Sequence, residues 1–96
     1  KVYEDDMVLA FRDINPEAPC HVLVIPKKHI ASLDDVQDED LDLMGYIMTK
    51  VKVVAEQVGL DNGYRVVINT GEDGMQTVKH LHVHLLGKRK MTWPPG

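Results

Sequence analysis

The chain has little cysteine, few aromatic residues and no excess of positive charge. Cys20 is the only cysteine, so no disulfide can form within the chain, and a reduced, cytoplasmic setting fits this composition. Aromatic residues make up 5% of the chain and the formal net charge is −4. An extended nucleic-acid interface is therefore not expected, because such interfaces need a basic stripe. A local cluster of donors could still bind one small anion.

Long apolar runs and targeting segments are also missing. No stretch approaches the roughly 18 apolar residues of a membrane span, and no signal peptide is visible, so we expect no membrane partner. The chain starts at Lys1 and enters a strand-like segment almost at once, which we interpret as a shortened amino terminus. Its 96 residues, 44% of them hydrophobic, predict one domain over residues 1–96.

Periodicity predicts about five strands and one long helix. Residues 2–3 and 7–12 have the pattern of a hairpin, and residues 21–25, 64–69 and 80–86 that of further strands. Between residues 38 and 58 the apolar residues recur with the helical period, and acidic residues precede the lysines as the helix dipole favours. The connections are short enough for an antiparallel sheet, so the predicted class is α+β.

The segment from residue 80 to residue 86 is the most informative. Successive side chains on a strand point to opposite faces, so His80, His82 and His84 are expected on one face, with apolar residues on the other. Imidazole changes its charge near neutral pH and serves as a metal ligand, a proton carrier or a nucleophile. Packing alone does not explain three histidines in register.

Three interpretations of these histidines are open. The first is a solvated strand face without a function, and His29, which stands alone after two lysines, is assigned to the surface. The second is a zinc site that includes His21, although the outer two histidines of the segment lie about 13 Å apart at ~3.3 Å per residue. The third is attack on phosphorus by the central imidazole, with its neighbours orienting it and neutralising charge.

The loop before the histidines supports the third interpretation. Residues 70–77 contain two glycines, which allow a close backbone approach and leave amides free for an anion. Gln76 and Thr77 add neutral donors. A glycine-bearing loop alone is weak evidence, but this one runs directly into the histidine segment.

The run Gln76–Leu86 resembles the signature of the histidine triad family, His-x-His-x-His followed by two apolar residues. Residues 13–19 and 21–29 are similar to two further segments of that family, and the Trp-Pro-Pro-Gly tail is similar to that of its Hint branch. The resemblance implies an α+β HIT-like fold whose sheet extends across a homodimer. It also implies a phosphoramidase that hydrolyses the P–N bond of purine nucleoside 5′-phosphoramidates, with no metal or cofactor.

The resemblance implies a role for each candidate residue. His82 would attack the α-phosphorus and form a nucleotidyl-histidine, and His84 would hydrogen-bond a phosphate oxygen. The backbone carbonyl of His80 would fix the tautomer of His82, while its side chain and His21 would belong to a histidine relay behind the site. Thr77 would lie near the leaving group. The implied substrate-binding residues are Asp13 for the ribose, Phe11 and Ile14 for the base, Asn69 for the phosphate, and Met75, Gln76 and Trp93.

Some features leave the substrate open. Met75 stands where many relatives have glycine, which adds bulk at the rim and makes a positive φ harder to adopt. Relatives also carry an amino-terminal segment that supplies part of the base pocket. The alternatives are a dinucleoside polyphosphate hydrolase of the Fhit type, a non-catalytic nucleotide-binding or scaffold protein, and a zinc enzyme. The Fhit branch usually has glutamine in place of Asn69 and lacks the Trp-Pro-Pro-Gly end.

Overall fold

A single antiparallel sheet of five strands forms the frame of the protein. The computed structural model describes all residues from 1 to 96. The strands are β1 (Tyr3–Glu4), β2 (Val8–Arg12), β3 (Cys20–Pro26), β4 (Arg65–Val67) and β5 (Val83–Gly87). Their spatial order is β1-β2-β3-β5-β4, and every neighbouring pair is antiparallel. The predicted α+β class, with about five strands and one long helix, is confirmed.

One face of the sheet carries the core. Buried and partly exposed residues alternate along β2, β5 and the second half of β3, as the period of a strand requires, whereas the first three residues of β3, His21 among them, are all buried. The helix α1 (Leu41–Gln57) packs against this face and contacts β3 and β2. The core residues of the three strands and the helix are Val8, Ala10, Cys20, Val22, Val24, Leu43, Ile47, Val51, Val54, Ala55, Val83 and Leu85.

The start of the helix is tied to the end of β3 by a buried ion pair. Short 3-10 turns at Leu33–Asp35 and Asp38–Asp40 precede α1, so the α-helix starts three residues later than the predicted residue 38. Asp40 is 3% exposed and accepts a hydrogen bond from the Nζ of Lys28 at 2.5 Å. This lysine lowers the pKa of the Asp40 carboxyl, and the backbone N–H of Gln37 lowers it further.

The sheet face opposite the helix carries the chemistry. Phe11 pairs with Leu23, and Leu23 pairs with His84, so these three side chains share one row across β2, β3 and β5. His21 pairs with Leu86, which makes His21 and His84 diagonal neighbours on adjacent strands. Diagonal neighbours on one face are within reach of long or aromatic side chains.

The histidine segment is less regular than the sequence predicts. The strand β5 begins at Val83, so only His84 lies in a regular strand, while His80 lies in a bend. The ladder between β3 and β5 stops at the pair Val24 and Val83, and Leu81 donates its backbone N–H to the carbonyl of Ile30 at 2.7 Å instead. The rule that places alternate residues on one face therefore fails at His80.

No helix in the structure combines the length and the apolar character needed to cross a membrane.

Candidate active site

Two histidines from neighbouring strands form a hydrogen-bonded pair at the centre of the site. The Nε2 of His21 lies 2.8 Å from the Nδ1 of His84. The backbone N–H of Glu17 donates to the Nδ1 of His21 at 3.0 Å. Because that ring nitrogen accepts a hydrogen bond, an uncharged His21 carries its proton on Nε2 and donates it to His84. The loop amide of Glu17 thus fixes the tautomer of His21.

His84 consequently presents a buried N–H group. Its Nδ1 accepts from His21, so its own proton lies on Nε2, which is buried and has no hydrogen-bond partner. Burial lowers the pKa of His84 below the ordinary 6.5, and the neighbouring His82 and His21 lower it further. All three effects favour the uncharged ring. A buried donor without a partner is costly in free energy, and an anionic oxygen would satisfy it.

His82 has the opposite arrangement, with a free lone pair. Its Nδ1 lies 2.6 Å from the backbone carbonyl of His80. A carbonyl oxygen accepts only, so Nδ1 carries the proton and Nε2 keeps its lone pair. The half-buried ring of His82 meets that of His84 edge-on, with 5.1 Å between the centroids. A nucleophilic nitrogen and a hydrogen-bond donor therefore lie side by side.

The side chain of His80 belongs to a different pair. Its Nε2 lies 2.9 Å from the carbonyl oxygen of Pro26, and its Nδ1 lies 3.1 Å from the Nδ1 of His29. The side chains of His21 and His80 therefore do not contact each other. The ring that His21 contacts is that of His84. His29 is exposed, as the sequence predicts, and its ring also contacts that of His80.

Asp13 lies at the end of β2, beside the pair of histidines. Its backbone N–H donates to the carbonyl of His21 at 3.0 Å, which extends the ladder between β2 and β3. Its Oδ1 accepts from the backbone N–H of Asn15 at 2.8 Å, and its Oδ2 lies 3.5 Å from the Nε2 of His21. Asp13 is thus both a turn residue and a neighbour of the candidate site.

The other implied binding residues on the sheet surround the same face. Phe11 is half-buried in the row of His84, and Ile14 is 91% exposed beyond the end of β2. Val67 pairs with His84, so continuing this register by two residues would place Asn69 level with His82. β4 itself ends at Val67, two residues earlier than predicted.

The loop before the histidines is held by the side chain of Gln76. Its Oε1 accepts from the backbone N–H of Gly71, and its Nε2 donates to the carbonyls of Ala31 and Val78. Both N–H groups of this amide are therefore occupied and are not free to donate to an anion. Met75 has φ of 64° and is 74% exposed. Thr77 is exposed and its hydroxyl has no hydrogen bond within the chain.

Trp93 lies apart from the histidines, against the edge of the sheet. Its ring is 81% exposed and 6.0 Å from the guanidinium of Arg65, the first residue of β4. A cavity of about 690 Å³ is lined by residues 59–65 and 88–91 and contains none of the predicted site residues. A second cavity, of about 320 Å³, lies beside the start of α1 and contains none of the histidines.

Three residues that hydrogen-bond the histidine rings were not identified from the sequence: Glu17, Pro26 and His29. The first two act through backbone groups, which leave no signature in the side-chain pattern. His29 stands in a segment that resembles the family, but the sequence has no local rule that brings it to His80. Tertiary contact alone joins these two rings, which are 51 residues apart.

The comparisons with known proteins agree with this geometry. The HIT domain model matches residues 1–91, and the chain belongs to the HIT domain family. A HIT family hydrolase from Legionella pneumophila has a crystal structure with a TM-score of 0.95 and 54% identity, covering 99% of this chain and 86% of that one. The "14 kDa zinc-binding protein" of Zea mays is 56% identical over 97 residues, covering 99% of this chain and 76% of that protein. An uncharacterized HIT-like protein of Synechococcus elongatus is 58% identical, covering 99% and 83%.

The donor set of this chain does not fit a zinc ion well. Asp13, His21 and His84 offer ligand atoms that lie within 4.8 Å of one another. The two ring nitrogens are 2.8 Å apart, whereas two histidine ligands of tetrahedral zinc are about 3.3 Å apart. His21 would also have to give up its Nε2 proton while its Nδ1 accepts from Glu17. The arrangement matches a hydrogen-bonded relay instead.

Proposed function

We propose that the protein is a purine nucleoside phosphoramidase of the Hint branch, which hydrolyses the P–N bond between a nucleoside 5′-phosphate and an amine. The observation that carries the proposal is that two neighbouring rings differ in the protonation of Nε2. The Nε2 of His82 keeps a lone pair because Nδ1 donates to the carbonyl of His80, while the neighbouring Nε2 of His84 carries a proton. Attack on phosphorus needs both.

In the first step the Nε2 of His82 forms a bond to the α-phosphorus and the bond to the amine breaks. The attacking ring becomes positively charged, and the carbonyl of His80, 2.6 Å from its Nδ1, stabilises that charge. The Nε2–H of His84 donates to a phosphate oxygen. The departing amine takes up a proton from solvent, for which the free hydroxyl of Thr77 is the candidate relay, and the attacking water of the second step returns a proton to solvent.

In the second step water attacks the nucleotidyl-histidine and releases the nucleoside monophosphate. The imidazole of His82 is a good leaving group. Its Nδ1 keeps its proton, so the ring that departs is uncharged. Splitting one displacement at phosphorus into two is the general advantage of covalent catalysis. The atoms balance: one water is consumed, and an amine and a nucleoside monophosphate are formed.

The same face of the sheet supports the binding of the nucleoside. Asp13 would accept from the ribose hydroxyls through Oδ2, whose partner Oδ1 is already used by Asn15. Phe11 and Ile14 would contact the base, and Asn69 the phosphate. Met75 would lie at the rim of the site.

A homodimer is part of the proposal. The strand β4 lies at one edge of the sheet, where its outer backbone groups lack a partner strand. Trp93 is exposed beside this edge, and a large exposed aromatic ring often marks an interface. Pairing of two β4 edges would extend the sheet across both copies, and Trp93 would then contribute to a substrate site.

A phosphoramidate assay tests the proposal. Wild-type protein should release AMP from an adenosine phosphoramidate in the presence of a chelator, and His82→Asn should abolish release while it still binds AMP. Lys52→Gln, an exposed change on α1, is the matched control. Turnover of a dinucleoside polyphosphate in place of the phosphoramidate would indicate the Fhit type. AMP binding without any turnover would indicate a scaffold, and loss of activity on chelation would indicate a zinc enzyme.

A further inference from the structure

The backbone that orients His82 is not part of the sheet. Residues 80–82 precede β5 and have no ladder partner. They are tethered to the segment of residues 26–30 by hydrogen bonds from Leu81 to the carbonyl of Ile30, from His80 to the carbonyl of Pro26, and between the rings of His80 and His29. The position of the His80 carbonyl depends on these tethers.

The segment that provides these tethers is itself fixed at several points. Pro26 ends β3 in the sheet and is buried. Lys28 pairs with the buried carboxylate of Asp40, and Ile30 is 4% exposed within the core. His29 stands between those two anchored residues, so its ring is attached to a rigid support although it faces solvent.

The direction of the hydrogen bond between the two rings follows from Pro26. The carbonyl of Pro26 only accepts, so the Nε2 of His80 carries the proton. An uncharged His80 then has a lone pair on Nδ1, and the Nδ1–H of His29 donates to it across 3.1 Å. Both ring nitrogens of His80 are thereby held by the same short segment, one by Pro26 and the other by His29.

We propose that His29 is a positioning residue for the nucleophile. It acts through His80: its N–H holds the His80 ring, the held ring fixes the backbone carbonyl of His80, and that carbonyl keeps the proton of His82 on Nδ1. This inference rests on the proposed attack by His82. It assigns a role to a side chain that touches neither substrate nor reacting atoms.

The main effect expected from loss of the His29 donor is a change in the tautomer of His82. Without it the His80 ring keeps one partner and its carbonyl is less well fixed, so part of His82 would move its proton to Nε2. That tautomer has no lone pair for attack. We expect kcat to fall roughly five- to tenfold, the effect of one modest hydrogen bond, with KM within about twofold because the substrate contacts remain.

Two substitutions of His29 distinguish the role of its N–H donor from the space that its ring fills. His29→Phe keeps a ring but has no donor, whereas His29→Asn retains an N–H near the position of Nδ1. The control is Asp34→Asn, an exposed position of the neighbouring 3-10 turn whose side chain makes no hydrogen bond. ¹⁵N spectra of the His82 ring report its tautomer without any turnover, and the amide spectrum reports the fold.

The expected result is a mixed His82 tautomer and a lower kcat in His29→Phe, with both restored toward wild type in His29→Asn. The inference is overturned if His29→Phe keeps the wild-type tautomer and kcat, or if His29→Asn is as impaired as His29→Phe. If His29→Phe does not fold, a failure of His29→Asn to retain the wild-type tautomer overturns it too. Failure of the proposed function is distinct, since wild-type protein would then show no turnover although its tautomers could still be measured.

Discussion

The donor of His84 gives the sharpest prediction about the chemistry. Two hydrogen bonds in series, from Glu17 to His21 and from His21 to His84, hold its Nε2–H in place before any ligand arrives. Removal of one such fixed donor from a site of developing negative charge typically lowers kcat by about 10²–10³, or ~2.7–4 kcal/mol. We expect His84→Ala to lose kcat in this range.

His84→Gln is the matched variant. Its terminal amide can place an N–H near the original Nε2, but it loses the orienting contact with His21, so we expect a loss of about tenfold, or ~1.4 kcal/mol. The assay is the single-turnover rate of AMP release from an adenosine phosphoramidate, with AMP affinity measured in parallel. Wild-type kcat in His84→Ala would refute the reasoning. So would a rate loss in His84→Gln as large as that in His84→Ala.

Three further predictions concern pH and stability. Because burial lowers the pKa of His84, its ¹⁵N titration midpoint should lie below 6.5. The unfolded chain then binds this proton more readily than the folded chain, so the free energy of unfolding should fall as the pH drops below 6.5. A midpoint at or above 6.5 would contradict this. Ile47 is fully buried against the sheet, so Ile47→Ala should lower the free energy of unfolding, measured by urea titration, by about 2–5 kcal/mol. Thr49→Ala, at an exposed position of the same helix, is the control. A loss under about 1 kcal/mol would show that the helix does not pack as described. Met75 adopts φ of 64°, a conformation that costs a residue with a side chain about 1–2 kcal/mol. Glycine avoids this cost but loses about 0.5–1 kcal/mol of stability through its greater freedom in the unfolded chain. Met75→Gly should therefore raise the melting temperature slightly, and a lower melting temperature would contradict the strain.

The elements of the fold were predictable because their patterns are local. Alternation along β2 and β3 and the helical period of α1 follow from which residues face one core. The exact extent of β5 was not predictable, because it depends on where β3 ends. Pro26 closes β3, and residues 80–82 find their partners in the following segment.

The site was predictable in its residue types but not in its pairings. The sequence singled out His80, His82 and His84 together with His21, and the resemblance supplied the role of the His80 carbonyl. Which ring meets which depends on strand register: His21 reaches His84 because the two are diagonal across β3 and β5. The contact of His29 with His80, and the use of the Gln76 amide to hold its own loop, depend on tertiary contacts that no spacing encodes.

Formation of the nucleotidyl-histidine tests the central claim most directly. Wild-type protein would be mixed with a slowly hydrolysed adenosine phosphoramidate, quenched within one turnover, and its peptides weighed. The account predicts an added adenylyl group on His82, absent from His82→Asn. An adduct on another histidine, or continued hydrolysis by His82→Asn, would contradict it.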